Sequence, residues 1–305
     1  MARPRFFGVI SPFVTPFRRD LSLDLDAARW LARYQAERGV HGIFPNSTTG
    51  EFVHLRESEA LELTRAVVEE VGGDVWVIPG ITANCTEHAI ELGRRFLDMG
   101  VDGLVVAPPY FFKPSRDELK KHFSRIAERL DAPIILYNIP STTGINLSID
   151  LVTELAREHS NIVAVKVTFE SFTYLRKLIR EVKSVRSDFA VLTGLDEMLL
   201  PTLMMGGDGG IMGLANVAPQ IHRAVYDAWS EGDVVRAYAA WRRLLKLVEV
   251  YDVAKSFPTA VKAALKALGA PIEPIPRPPL EPEPPQVEER IREILRELGL
   301  LSGSR

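Results

Sequence analysis

A single cysteine, Cys85, stands in the 305 residues, so no intrachain disulfide framework supports this fold and its stability must come from an apolar core. No uninterrupted apolar run reaches the ~18 residues that a membrane-spanning helix needs. The first residues, Met1-Ala2-Arg3-Pro4-Arg5 and a short apolar stretch, lack the long apolar region of a secretory signal. A cytoplasmic address is expected. Charge of one sign is missing too: the formal net charge is −3, with basic residues scattered among acidic ones at helical spacing, which leaves no footprint for nucleic acid. His41, His54, His88, His122, His159 and His222 are dispersed, with no pair at ligand spacing and no supporting cysteine, so no metal is expected. Nor is a cofactor, because Gly206-Gly207-Asp208-Gly209-Gly210 has the wrong spacing and position for a dinucleotide or Walker-type phosphate loop.

What is present is enough apolar sequence, 46% of the chain, to bury a large core. Eight short apolar runs recur at 6–10, 42–45, 75–81, 103–107, 133–139, 162–168, 189–193 and 209–214. Between them lie stretches such as 26–38, 57–71, 86–99, 115–130 and 148–159 with apolar residues three and four apart, two of them preceded by the N-cap candidates Ser115 and Ser148. This alternation is that of parallel βα units, and eight of them predict an α/β fold, a closed (β/α)8 TIM barrel, in place of an open doubly wound sheet. The pattern then changes. Segments 219–231, 233–253 and 258–268 read as helices without strands between them, 271–285 is rich enough in proline to run extended as a strap, and 286–298 resumes as a charged amphipathic helix. The reading divides the chain into a barrel catalytic domain, 1–225, and a C-terminal helical region, 226–305.

Reactive groups in such a barrel belong at the C-terminal ends of the strands. In Ile162-Val163-Ala164-Val165-Lys166-Val167-Thr168, strand alternation sends Val163, Val165 and Val167 toward the helices and Ala164, Lys166 and Thr168 into the barrel. Burying an ammonium is costly, which favours the free amine that attacks a carbonyl; a structural lysine paired with a buried carboxylate would fit the same position. Tyr137, near the end of the preceding strand, offers a phenol that could move protons beside Lys166, or simply packs with a wet hydroxyl. The turn Asn46-Ser47-Thr48-Thr49-Gly50-Glu51 presents small hydroxyl side chains and backbone donors suited to a carboxylate, or to ordinary helix capping.

Together these segments resemble the dihydrodipicolinate synthase and N-acetylneuraminate lyase family of class I aldolases. The resemblance runs from Pro12-Phe13-Val14-Thr15-Pro16-Phe17 through Thr48-Thr49-Gly50-Glu51, Pro108-Pro109-Tyr110, Tyr137-Asn138-Ile139-Pro140 with Gly144, Lys166, and Gly194 with Asp196, to the stretch 206–216. It implies Lys166 as the Schiff-base amine for pyruvate and Tyr137 as the proton-relaying phenol. Thr48 and Thr49 would hold the pyruvate carboxylate, Thr48 also serving the relay, and Ile211 would line the pocket. It further implies a homotetramer whose barrel loops meet near Phe111. Two departures bear on the substrate. Where the synthases carry a Tyr-Tyr pair that completes the relay across subunits, this chain has Tyr110-Phe111, so that hydroxyl is missing unless Tyr110 replaces it. Where they place an arginine for the acceptor's carboxylate, this chain has Thr142 in Pro140-Ser141-Thr142-Thr143-Gly144, and threonine cannot form the bidentate pair. Both point away from lysine biosynthesis and toward another member of the family, and the resemblance at Thr142 implies a 2-keto-3-deoxy sugar acid aldolase. The alternatives are a 4-hydroxy-tetrahydrodipicolinate synthase and, from another class, a pyruvate-binding barrel without turnover.

Overall fold

The computed structural model describes residues 4–301; the outermost residues of the two expected regions, 1–3 and 302–305, lie outside them. A strand meets each of the eight apolar runs, β1 continuing two residues past its run and the others lying within theirs: β1 (Gly8–Pro12), β2 (Gly42–Phe44), β3 (Trp76–Val77), β4 (Leu104–Val106), β5 (Ile134–Asn138), β6 (Ile162–Val167), β7 (Ala190–Thr193) and β8 (Gly209–Ile211). They form one parallel sheet in the order β3-β2-β1-β8-β7-β6-β5-β4. Its two ends meet just past β3, where Val105 N–H donates to Pro79 O at 3.0 Å and Ile81 N–H to Val105 O at 2.8 Å. The sheet is thereby a TIM barrel, which removes the exposed strand edges that an open sheet would carry.

Helices α1 (Leu25–Glu37), α2 (Glu57–Val71), α3 (Thr86–Leu97), α4 (Arg116–Arg129), α5 (Pro140–Thr143), α6 (Ile149–Glu158), α7 (Phe172–Val185), α8 (Leu199–Met204) and α9 (Pro219–Ser230) follow the strands. Ser115 caps α4 by accepting from Glu118 N–H, and the Glu118 carboxylate returns to Ser115 N–H, a reciprocal box that satisfies two otherwise orphaned donors. Ser148 occupies the N-cap position of α6 without such a bond.

Inside the ring, Phe6, Ile10, Ile78, Val105, Ala164 and Leu192 form one buried cluster, while Val165 and Val167 pack outward with the helices. The expected alternation therefore holds from Ala164 to Val167 and fails one residue earlier. Val163 packs against the interior cluster, not the helices, because the β5–β6 register jumps from Ile134↔Ile162 to Ile135↔Ala164. The irregularity inserts one unpaired residue and breaks the period of two.

After β8 the chain continues into α10 (Val234–Val253), α11 (Phe257–Ala267) and α12 (Pro285–Glu297). Residue 225 lies within α9, and Leu244, Leu247, Ile291 and Leu295 share one buried cluster with Val9 of β1 and Leu31 of α1. The segment between α11 and α12 lies against the loops after β1 and β2. Arg277 fastens it by donating to the carbonyls of Leu21 and His54 and pairing with Glu59.

One buried histidine gives the fold an acid limit. His122 on α4 is 6% exposed, its Nδ1 lies 2.8 Å from Thr86 Oγ1, and burial pulls it down to about 4. The unfolded chain titrates this group near 6.5 and so binds the extra proton first as pH falls. The contribution, roughly 3 kcal/mol from the pKa difference, is intact above pH ~6.5 and is lost progressively toward about 4. His122→Gln should flatten this limb, seen as a smaller difference between guanidinium midpoints at neutral and acidic pH.

Candidate active site

Strand β6 carries Lys166 at the C-terminal mouth, paired in register with Tyr137 of β5. Both are buried, at 3% and 4% exposure. Lys166 Nζ lies 4.1 Å from the centre of the Tyr137 ring and 5.2 Å from that of Phe44. Among the described residues no hydrogen bond or ion pair engages this amine. It is neither in bulk water nor locked to an acid, and two aromatic faces set its direction.

Tyr137 is held in turn by Thr168, whose Oγ1 donates to the phenol oxygen at 3.3 Å. Among the described residues Thr48 makes no such bond to it, although both face the same space. The arrangement depends on Gly194. A Cβ there would lie 1.9 Å from Thr168 Oγ1 and 3.0 Å from Lys166 Cε, so a methyl group must displace both. Gly194→Ala should therefore lower stability by about 1–3 kcal/mol, the usual cost of overpacking a close-packed site, as read from guanidinium unfolding midpoints.

The Thr48-Thr49 turn is built from both ends. Thr15 Oγ1 donates to Gly50 O at 2.6 Å, Ser47 Oγ donates to Phe13 O at 3.2 Å and accepts from Gly50 N–H at 3.0 Å. A Cβ on Gly50 would strike Phe13 O at 2.5 Å, which explains the glycine. Glu51 follows in the left-handed region, φ 57°, where a non-glycine residue is held only by its surroundings. Here those are Lys262 Nζ at 2.6 Å, Arg277 N–H at 2.9 Å and His54 Nδ1 at 3.2 Å. Lys262 also donates to Ile275 O. Burial pulls the Lys262 amine down to about 8 against the opposing charge of Glu51.

Two adjoining cavities open here. One, about 170 Å³, is lined by Thr48, Thr49, Tyr137, Lys166, Thr168 and Ile211. The other, about 250 Å³, shares Thr48, Tyr137 and Ile139 and adds Asn46, Tyr110 and Thr142. All seven residues singled out in the sequence thus border one connected mouth. Thr142 and Tyr110 stand at its outer edge, Thr142 bonding back to Ile139 O and Tyr110 packing edge-on against Phe52. Phe111 projects outward, 79% exposed.

Several residues were not foreseen. Tyr251 and Asp252 of α10, with Glu170 and Glu197 from the loops after β6 and β7, line the Lys166 cavity. Burial and the charges of Asp196, Glu170 and Asp252 raise the Glu197 carboxyl, while burial, Asp196 and Glu197 raise the Tyr251 phenol well above its usual range. Asp196 itself is taken by His222 Nε2 at 2.6 Å and Leu214 N–H at 3.1 Å. The phenol tip of Tyr251 reaches the backbone after β8, since a Cβ on Gly213 would lie 2.1 Å from it. A helix that reads as ordinarily amphipathic carries no signal of this, beyond the missing Cβ at Gly213.

A model of the dihydrodipicolinate synthetase family matches residues 5–298. The chain is 67% identical over 296 residues to an uncharacterised DapA-like lyase of Thermofilum pendens, covering 97% of this chain and 98% of that protein. It is 40% identical to a 4-hydroxy-tetrahydrodipicolinate synthase of Methanopyrus kandleri, covering 96% and 97%. It is 35% identical to a probable 2-dehydro-3-deoxy-D-pentonate aldolase of Escherichia coli, covering 97% and 99%. Among solved structures, a prophage protein of the dihydrodipicolinic acid synthase family from Escherichia coli K12, in complex with pyruvate, superimposes with TM-score 0.95 at 33% identity, covering 97% of this chain and 100% of that one.

Proposed function

Because this chain belongs to the dihydrodipicolinate synthetase family, we propose that it is a carbon–carbon lyase that works through an imine between Lys166 and pyruvate or a 2-keto acid. The observation that carries this is the buried Lys166 amine, without an acidic partner, facing a cavity beside the Tyr137 phenol. Pyruvate sits with its carboxylate on Thr48 and Thr49 and its methyl group toward Ile211. The Lys166 nitrogen attacks C2, Tyr137 and Thr48 move protons to the departing oxygen, and water leaves. Loss of a proton from C3 gives the enamine, whose carbon adds to an aldehyde carbonyl as that oxygen takes up a proton. Water then cleaves the imine. Run backward, the C3–C4 bond of a 2-keto acid breaks, and its electrons return to the enamine.

The substrate class follows from Thr142, which offers a hydroxyl where a second carboxylate would need a cation, and a 2-keto-3-deoxy sugar acid fits it. The synthase reading retains support from the 40% identical relative; condensation of pyruvate with aspartate semialdehyde separates the two. The family reading brings with it a cytoplasmic homotetramer, with exposed Phe111 and Phe112 at a contact between copies. Incubation with pyruvate and borohydride tests the chemistry: a reduced adduct is expected on the Lys166 peptide, and its appearance elsewhere, or nowhere, removes the proposal.

A further inference from the structure

Three threonines, Thr48, Thr49 and Thr168, line the cavity that Lys166 and Tyr137 share. Among the described residues only Thr168 bonds to the Tyr137 phenol, donating to its oxygen at 3.3 Å, and that oxygen has no other hydrogen bond. The donor is firmly placed. Thr168 stands two residues past Lys166, where alternation keeps it on the same interior face. Its N–H donates to Asn138 O at 2.9 Å, continuing the β5–β6 ladder beyond Val167. Its side chain fills the space beside Gly194, where an added Cβ would lie 1.9 Å from Thr168 Oγ1 and 3.0 Å from Thr168 Cβ. A phenol oxygen that accepts from Thr168 keeps its own hydrogen to give away. No comparable hydroxyl comes from the loop after β4: Phe111 has none and is 79% exposed, and Tyr110 lines only the larger of the two cavities, edge-on to Phe52.

We infer that Thr168 is the positioning residue of the proton relay in this chain, its hydroxyl holding the Tyr137 phenol and the phenolate formed from it, so that the relay closes within one subunit without a hydroxyl at position 111. The inference rests on the Schiff-base reading and adds the group that holds its acid and base. When the carbinolamine collapses, the Tyr137 O–H proton passes to the C2 hydroxyl, the C2–O bond breaks toward oxygen, water leaves, and the nitrogen lone pair forms the C=N bond. A phenolate and an iminium remain. The phenolate then takes a proton from C3, the C3–H electron pair becomes the C2–C3 double bond, and the C=N π electrons return to nitrogen. The phenol is restored, so the proton given in the first step is regained in the second and the count balances. Between the two steps the negative charge sits on the oxygen to which Thr168 donates, and a hydrogen bond to a charged acceptor is stronger than one to a neutral acceptor. Thr168 keeps its own proton throughout. Thr48, without a bond to the phenol, meets the relay through the bound substrate.

The test uses the full-length protein with pyruvate alone, so that no aldehyde enters, and follows exchange of the pyruvate methyl protons by NMR in heavy water. In Thr168→Val, which keeps the branched shape and removes the hydroxyl, exchange should slow by ~10- to 100-fold, the scale of one hydrogen bond to a charged group. The pyruvate concentration that gives half-maximal exchange should stay near the parent's, because the Thr48-Thr49 turn is untouched. Thr168→Ser and Thr168→Ala lose the same methyl group and differ in the hydroxyl. The serine variant should keep most of the parent rate and the alanine variant should fall with Thr168→Val, whereas a packing effect would lower both alike. Tyr110→Phe should slow exchange less than Thr168→Val does. Exchange at the parent's rate in Thr168→Val and Thr168→Ala, a serine variant as slow as the alanine one, or a larger loss in Tyr110→Phe, while the borohydride adduct still forms on Lys166 of the parent, overturns the inference and leaves the chemistry standing. Absence of the adduct in the parent overturns both.

Discussion

Lys166→Ala is expected to abolish the borohydride adduct and to lower retro-aldol kcat/KM on the order of 10⁴-fold, the scale on which enzymes lose a covalent nucleophile. The size follows from the surroundings. The amine has no second lysine behind it among the residues lining either cavity, so nothing can take over its attack on C2. Stability should not fall in parallel. The Lys166 side chain contributes no ion pair or hydrogen bond among the described residues, and burying an unpaired amine costs free energy; Lys166→Met, which keeps the volume, should match or exceed the parent's guanidinium midpoint. Inactive but fully stable protein is the expected result. Exchange of pyruvate methyl protons that persists in Lys166→Ala would move the chemistry to another residue.

Lys262→Met should do the reverse, with a large loss of stability. Lys262 is 0% exposed and Glu51 2%, and removing one member of such a pair leaves the other charge buried and uncompensated, at a cost of roughly 3–5 kcal/mol. Glu51→Gln, which keeps the hydrogen bond from Arg277 N–H, should cost less. The double variant Lys262→Met with Glu51→Gln should recover part of the loss, because no orphaned ion remains. Chemical denaturation of the three variants measures this directly. A functional effect should accompany it: Glu51 directly follows Thr48-Thr49-Gly50 and sits in a left-handed conformation that its three partners maintain. Loosening it should raise KM for pyruvate before it lowers kcat. If Lys262→Met unfolds at the parent's midpoint, the pair is not the clamp described here.

How much of this was legible beforehand depends on the range of the interactions involved. Seven of the eight strands fall within the apolar runs, and β1 overlaps its run and continues two residues past it, because strand burial repeats every two residues and helix burial every three to four, and both periods are written locally. Lys166 could be aimed into the barrel by the same alternation, and Tyr137 placed near the end of the preceding strand. Val163 could not: its facing depends on a register jump between two strands, which neither strand's own pattern encodes. Ser148 has the right residue type and position for a cap, yet its side chain makes no capping bond to α6, since capping needs a side-chain geometry that the residue type only permits.

Composition, periodicity and strand-end polarity by themselves determined the barrel, the inward lysine and the hydroxyl-rich turn, since each is governed by neighbours a few residues away. Only the tertiary structure decided what surrounds them. Lys262 and Glu51 are 211 residues apart and meet at 2.6 Å, and Tyr251 crosses from a late helix to the backbone at Gly213. Such contacts are selected by the free energy of satisfying buried charge and filling space once the chain has closed. That selection acts on positions in space, and distance along the chain carries no trace of it.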